Sequence, residues 1–255
     1  EIHAQRFRWF SKNSVEVMGE LRFDQPIEQS HIRRANDFLK LAELKKNGRV
    51  SFCFGSTGPG EDEGIISIMR FLSQKAQKSG LPRPFYIYVP RHKKDFLEIK
   101  KLIDSTELTL ISRSEILDKN LNVKFNFLNK AKEIDGIFGD SLGEINFYFQ
   151  MADFVFIGNS FNGLGGHNVI EPLALKKPVS VGPSIWGIEY PVVEALDVNI
   201  VKKFLAFEDL GEYWWTKVNK QKTVKEKTDS IEIFYVEHSK AVERCMIKLI
   251  EHGFL

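Results

Sequence analysis

Short runs of β-branched and aromatic residues alternate along the chain with longer stretches whose apolar positions recur every three to four residues. This alternation predicts a parallel sheet covered by helices. The strand segments are 50–54, 85–89, 108–112, 134–138, 154–158, 178–181 and 198–201. Each is short and almost continuously apolar, as strands covered on both faces are; a half-exposed antiparallel strand would alternate with polar residues. Helical periodicity fills the intervals at 32–46, 61–78, 93–103, 142–152, 169–175 and 190–196, with a long closing helix over 231–252. In the fourth of these, Leu142, Ile145, Phe149 and Ala152 form one apolar stripe for the sheet. The stretch 208–227 reads as a short helix followed by an exposed, lysine-rich linker. The fold class is α/β, a doubly wound parallel sheet.

Composition narrows the chemistry. With 43% hydrophobic and 27% charged residues in 255, the chain has the makings of a full core, which excludes disorder, collagen and small disulfide scaffolds. A net charge of +2 is too balanced for a protein that grips nucleic acid. Cys53 and Cys245 are isolated, which fits a reducing compartment, and the scattered histidines predict no metal site. No run approaches the ~20 apolar residues that cross a bilayer. The chain opens at Glu1 without Met or a signal pattern, so it reads as a processed product or a piece of something longer.

In an open parallel sheet, ligands bind beyond the carboxyl ends of the strands, where loops feed helix starts that attract anions. Four such loops carry unusual residues: Gly55-Ser-Thr-Gly-Pro-Gly60, Pro90-Arg-His92, Gly139-Asp-Ser-Leu-Gly-Glu144, and the segment from Gly158 to Asn168 that leads to Glu171. In the last, Gly163, Gly165 and Gly166 remove side chains where the chain enters a helix, so a phosphate could approach the backbone amides. The bland alternative is a strained turn with Asn168 and Glu171 as a capping box. Glu171 has the bidentate chemistry to hold the two hydroxyls of a ribose. Glu144 stands similarly after Gly143, although Ser141 to Glu144 is itself a capping-box pattern. Arg91, preset by Pro90, is a fixed cation for a phosphate or carboxylate, and Ser56 and Thr57 offer hydroxyls to an anionic sugar. Trp186, Trp214 and Trp215 read as packing residues, and His31 and His238 as residues of polar helix faces.

The run from Gly139 to Pro183, with G-G-H-N-x-x-E-P at its centre, resembles the second half of Kdo transferases. These glycosyltransferases add 3-deoxy-D-manno-octulosonic acid from CMP-Kdo to a lipid A precursor. G-E-L-R-F-D at Gly19 to Asp24, the loop Gly55 to Glu63 and V-P-R-H at Val89 to His92 are also similar, in the family's order. The resemblance covers residues 15–193.

It implies a GT-B arrangement of two Rossmann-like domains, the second binding the donor. Residues 1–26 would be the end of the acceptor domain and a linker, and 27–255 the donor domain with its closing helix. CMP contacts would fall on Arg91 and His92, on Leu142, Gly143 and Glu144, and on Asn168, Val169, Ile170 and Glu171. Ser56, Thr57, Gly165, Gly166 and His167 would serve donor sugar or phosphate, and Arg22 would steady charge in the transition state. The family reaction is inverting and needs no metal or cofactor; its general base belongs to the first domain, so this chain alone is expected to be inactive. The setting implied is the cytoplasmic face of the bacterial inner membrane, with peripheral attachment.

Departures from the family pattern are Gly58 where it usually has His, Val169 where it has Pro, and Glu20 and Arg22 where it has Asn and Lys. Other readings remain open: a UDP-sugar transferase or epimerase, or a noncatalytic nucleotide-binding module. A Rossmann dehydrogenase ranks last, because no G-x-G-x-x-G follows the first strand.

Overall fold

The computed structural model describes residues 2–127, 133–219 and 224–254. The chain divides into two compact units, one from Ile27 to Glu232 and one combining Glu1–Pro26 with Ile233–Leu255. Across the described residues no helix is long and apolar enough to cross a membrane.

The larger unit is built on seven parallel strands: β1 (Ser51–Thr57), β2 (Phe85–Pro90), β3 (Leu110–Ser112), β4 (Gly136–Phe138), β5 (Phe154–Ile157), β6 (Val179–Val181) and β7 (Val201–Lys203). Their order across the sheet is β3-β4-β2-β1-β5-β6-β7. Every pairing is parallel. This is the expected doubly wound α/β architecture, with each expected strand segment present. The last begins three residues late, because Val198 ends the preceding helix and Asn199 takes a left-handed turn (φ 66).

The helices are α1 (Ile2–Arg8), α2 (Gln29–Leu41), α3 (Asp62–Lys78), α4 (Phe96–Asp104), α5 (Arg113–Ile116), α6 (Ile145–Met151), α7 (Ile170–Ala174), α8 (Glu189–Asp197), α9 (Phe207–Asn219), α10 (Val224–His238) and α11 (Ala241–Glu251). Strand alternation turns Phe52 and Phe54 of β1 to one face of the sheet, where α3 and α9 cover them, and Gly55 to the other, against Phe149 of α6. Glycine is required at 55: a Cβ there would lie 2.4 Å from the Phe149 ring.

Three local expectations change. Helix α9 continues past Trp215 to Asn219, because Leu210, Trp214 and Val218 form a buried stripe on it; only 220–223 of the expected linker fall outside the described residues. Leu142 lies before α6 and is 59% exposed, so the stripe there comes from Phe149 and Ala152. The closing helix is broken into α10 and α11 at Lys240, whose φ of 65 is left-handed.

That break belongs to the smaller unit. Its short 3-10 turn Leu21–Asp24 buries Phe23 with its ring 5.3 Å from Tyr235 and 5.6 Å from His238. His238 therefore packs rather than standing on a polar face. The Asp24 carboxylate accepts from the N–H groups of Lys240 and Val242 (2.6 and 2.7 Å), capping α11. Arg244 donates to the carbonyls of Met18 (2.9 Å) and Ser239 (2.7 Å).

Trp214 is fully buried, with its ring 4.7 Å from Phe52 and 5.2 Å from Phe54 and its indole N–H donating to Ser180 Oγ at 3.3 Å. Trp214→Ala is expected to lower the stability of the chain by about 3 to 5 kcal/mol, since the cavity cannot fully collapse between sheet and helix. Urea unfolding of the variant beside the wild type measures this.

Candidate functional site

The chain winds from β1 toward β2 on one side and from β5 toward β6 on the other, so the sheet's switch point lies between the carboxyl ends of β1 and β5. Splayed loops at such a point leave a crevice. Ser56 and Asn159, near the ends of these strands, both take left-handed backbone (φ 55 and 58), unusual for non-glycine residues and concentrated at functional sites.

Glu61 ties the two loops together. It is fully buried, and its carboxylate accepts four backbone N–H groups. Gly58 and Asn159 donate to one oxygen (2.9 and 2.8 Å), Ser160 and Phe161 to the other (3.0 and 2.9 Å). Burial pushes its proton affinity up while the four N–H donors pull it down. In sequence Glu61 is an ordinary acid at the start of a helix, and the signal of its role is its place directly after the glycine-rich turn.

Arg91 and His92 are exposed on the next loop, which is tied to β1 by the Arg91 N–H donating to the Thr57 carbonyl (3.0 Å). Thr57 is only 2% exposed, so of the two hydroxyls only Ser56 is half-open to solvent. His167 is half-buried and takes Asn159 Nδ2 against its Nε2 at 2.5 Å. Burial, with the charges of Arg91 and His92 facing it, lowers its pKa to about 4. Arg91, His92 and His167 therefore share one electrostatic environment at the sheet's carboxyl edge.

The glycine loop departs from expectation. Gly165 N–H donates to Ser184 Oγ (3.1 Å) and Gly166 N–H to the Asn159 carbonyl (2.7 Å), so both amides are committed within the protein. The glycines instead allow close packing: a Cβ on Gly165 (φ 89) would lie 2.7 Å from the Trp186 ring. Trp186 is not a core residue, being 67% exposed with its indole N–H on the Gly163 carbonyl (3.0 Å).

On the loop after β4, Leu142 and Gly143 are exposed. Glu144 does not make a capping box, because α6 begins after it; Ser141 Oγ instead donates to its carboxylate (2.6 Å) and meets the Tyr148 hydroxyl (2.6 Å). Arg113, buried just after β3, forks the same carboxylate at 2.8 and 2.6 Å. Arg113 escaped sequence reasoning, its Ser-Arg-Ser context resembling any surface loop.

At α7, Val169 and Ile170 have buried side chains, which leaves only their backbone for a ligand. Asn168 Oδ1 accepts the Ile170 N–H (3.0 Å), and Glu171 stands half-buried as the second residue of the helix. Arg22 belongs to the other unit, where it pairs with Glu20 at 3.1 Å.

Glu61→Gln replaces one acceptor oxygen with an N–H₂ that faces backbone donors. It is expected to cost about 3 kcal/mol, read from urea unfolding, with the loss largest in amide protection of 158–161. His167 is neutral in the fold down to about pH 4, whereas in the unfolded chain it protonates near pH 6.5. The unfolded state thus binds the extra proton in that window, and stability falls as pH drops through it. Melting His167→Gln beside the wild type at pH 7 and pH 5 is expected to show a smaller pH-dependent drop in Tm for the variant.

No protein-family model matches the chain. It is 30% identical over 184 residues to 3-deoxy-D-manno-octulosonic acid transferase of Bordetella pertussis, covering 72% of this chain and 39% of that protein. It is also 30% identical over 198 residues to the Haemophilus influenzae enzyme of the same name, covering 74% and 42%. Among solved structures it is similar to the C-terminal CMP-Kdo binding domain of WaaA from Acinetobacter baumannii. That match has a TM-score of 0.66 at 21% identity and covers 80% of this chain and 97% of that one. The chain thus spans 39 and 42% of the length of these two relatives. By sequence and by fold it is a relative of the 3-deoxy-D-manno-octulosonic acid transferases, matching one part of them.

Proposed function

We propose that this chain is the donor-binding part of a GT-B glycosyltransferase that takes CMP-Kdo. The observation that carries the reading is that Arg91 and His92, on the loop after β2, act electrostatically on His167, on the loop after β5, at the carboxyl edge of the sheet, in a chain similar to enzymes named for Kdo transfer. The structural neighbour's CMP-Kdo binding supports the same donor class.

In this reading Arg91 and His92 meet the phosphate, Glu171 accepts from the ribose hydroxyls, and the start of α7 around Asn168, Val169 and Ile170 meets the nucleotide through its backbone. Leu142, Gly143 and Glu144 lie toward the base, with Arg113 holding the Glu144 carboxylate in place. Ser56 and His167 are left for the sugar. In the transfer, an acceptor hydroxyl attacks the anomeric carbon of Kdo, the bond from that carbon to the phosphate oxygen breaks, and CMP departs. Arg91 stabilises the charge that develops on the leaving phosphate, the kind of fixed cation that acts most strongly in a water-poor site. The hydroxyl proton passes to a carboxylate base, which the resemblance assigns, with the lipid A precursor site, to the part of the relatives that this chain does not match. Action at the cytoplasmic face of the inner membrane follows from such an acceptor.

Titrating CMP into the chain is expected to shift the amides of 163–171 and of Arg91. Arg91→Ala is expected to weaken CMP binding about 10- to 100-fold, as loss of a charge-assisted contact does. UDP serves as the control for another nucleotide-sugar enzyme. Binding of UDP but not CMP, or no perturbation at 163–171 by CMP, would remove this reading.

A further inference from the structure

The loop after β5 contains a directed hydrogen-bond chain that ends on His167. Asn162 Oδ1 accepts the Leu164 N–H at 3.1 Å, which fixes the sense of that amide. Its Nδ2 therefore reaches Asn159, donating to Oδ1 at 2.7 Å and to the Pro59 carbonyl at 3.3 Å. With its oxygen engaged, Asn159 presents Nδ2 to His167 Nε2 at 2.5 Å. An amide nitrogen only donates, so Nε2 must be the nitrogen with the lone pair, and a neutral imidazole then carries its proton on Nδ1.

Two further features hold this arrangement. A Cβ at Gly58 would lie 1.6 Å from Asn159 Oδ1 and 2.7 Å from Asn162 Nδ2, so a side chain at 58 cannot coexist with the asparagine pair as it stands. The charged groups facing the imidazole are Arg91 and His92, which with burial oppose a second proton on the ring. Among the described residues no hydrogen bond takes up Nδ1, and the ring is half-buried rather than sealed.

We propose that Asn159 is a positioning residue that fixes His167 as the Nδ1-protonated neutral imidazole, a directional donor to an anionic oxygen of the bound nucleotide sugar. The inference rests on the nucleotide-sugar reading of this site for its ligand, and on the hydrogen-bond chain alone for its tautomer. The anionic oxygen can come from the phosphate or from the sugar's carboxylate. A fixed neutral donor discriminates by direction, where a further cation beside Arg91 would only add charge.

Long-range proton–nitrogen correlation spectra of the unliganded chain at pH 7 read the tautomer directly. The wild type is expected to carry its proton on Nδ1. Asn159→Gly keeps the left-handed backbone without strain and removes the amide, so the tautomer preference is expected to vanish. Asn159→Asp offers an acceptor instead, moving the proton to Nε2 and raising the imidazole pKa. With melting checked for each variant, Asn159→Gly is expected to weaken ligand binding about 5- to 10-fold, the worth of one directed hydrogen bond. Equal loss for CMP and CMP-Kdo assigns the phosphate; loss for CMP-Kdo alone assigns the carboxylate. A wild-type proton on Nε2 overturns the proposal, as does a variant that shifts the tautomer while both affinities stay unchanged. If the wild type binds neither probe, the nucleotide-sugar reading falls and takes the ligand half of the proposal with it, while the tautomer still decides the positioning half.

Discussion

The carboxyl edge of the sheet depends on one buried carboxylate. Glu61 sits at the start of α3, yet its two oxygens are spent on backbone N–H groups of two loops separated by about a hundred residues of sequence. A buried charge without such partners would be costly, and backbone donors without an acceptor would be costly too; together they satisfy one another. The pairing draws the loop after β1 and the loop after β5 to the same point, and Gly58 and Gly158 permit the approach. A Cβ on Gly158 would lie 2.4 Å from the Ser56 carbonyl oxygen. Asn159, whose φ of 58 is left-handed, is held by this clamp through its own N–H.

A second clamp, this one an ion pair, ties the loop after β4 to the segment after β3, where Arg113 forks Glu144. Its two charges are 10 and 17% exposed, so removing either would leave an uncompensated partner in a poor solvent. Both clamps serve loops rather than core. The core is already supplied by the aromatic layer of Phe52, Phe54, Tyr86, Tyr88 and Trp214 under α3 and α9. The polar investment is concentrated at the end of the sheet where ligands bind in folds of this class.

The sheet was legible because each strand is apolar on both faces, a pattern that depends only on neighbours in sequence. The four loops were legible for a related reason: glycine, proline and charge crowd them just after a strand. What escaped notice was long-range. Nothing near Glu61 reveals that it will be buried, since an acid in the first turn of a helix is ordinary. Arg113 and Asn159 likewise have their partners 31 and 8 residues away. Trp186 and Trp214 carry the same side chain, and only tertiary position makes one exposed and the other fully buried. The break at Lys240 had no glycine or proline to announce it, and arises where Asp24, more than two hundred residues earlier, caps the next helix.

The commitments of the loop amides change where charge must be neutralised. A glycine-rich loop before a helix suggests a cradle of free N–H groups, and that expectation placed Gly165 and Gly166 against a phosphate. In the fold, the N–H groups of 159, 160 and 161 go to Glu61, that of 164 to Asn162, that of 165 to Ser184, that of 166 to the Asn159 carbonyl and that of 170 to Asn168. An anion entering here would have to displace internal hydrogen bonds to use those amides, which gains little, because one bond is exchanged for another. Side chains gain more: Arg91 is exposed beside the crevice, and its charge is felt at His167. The glycines are then needed for shape, letting the loop pass under Trp186 and Ile188, and the exposed positive charge at this edge comes from Arg91 on the loop after β2.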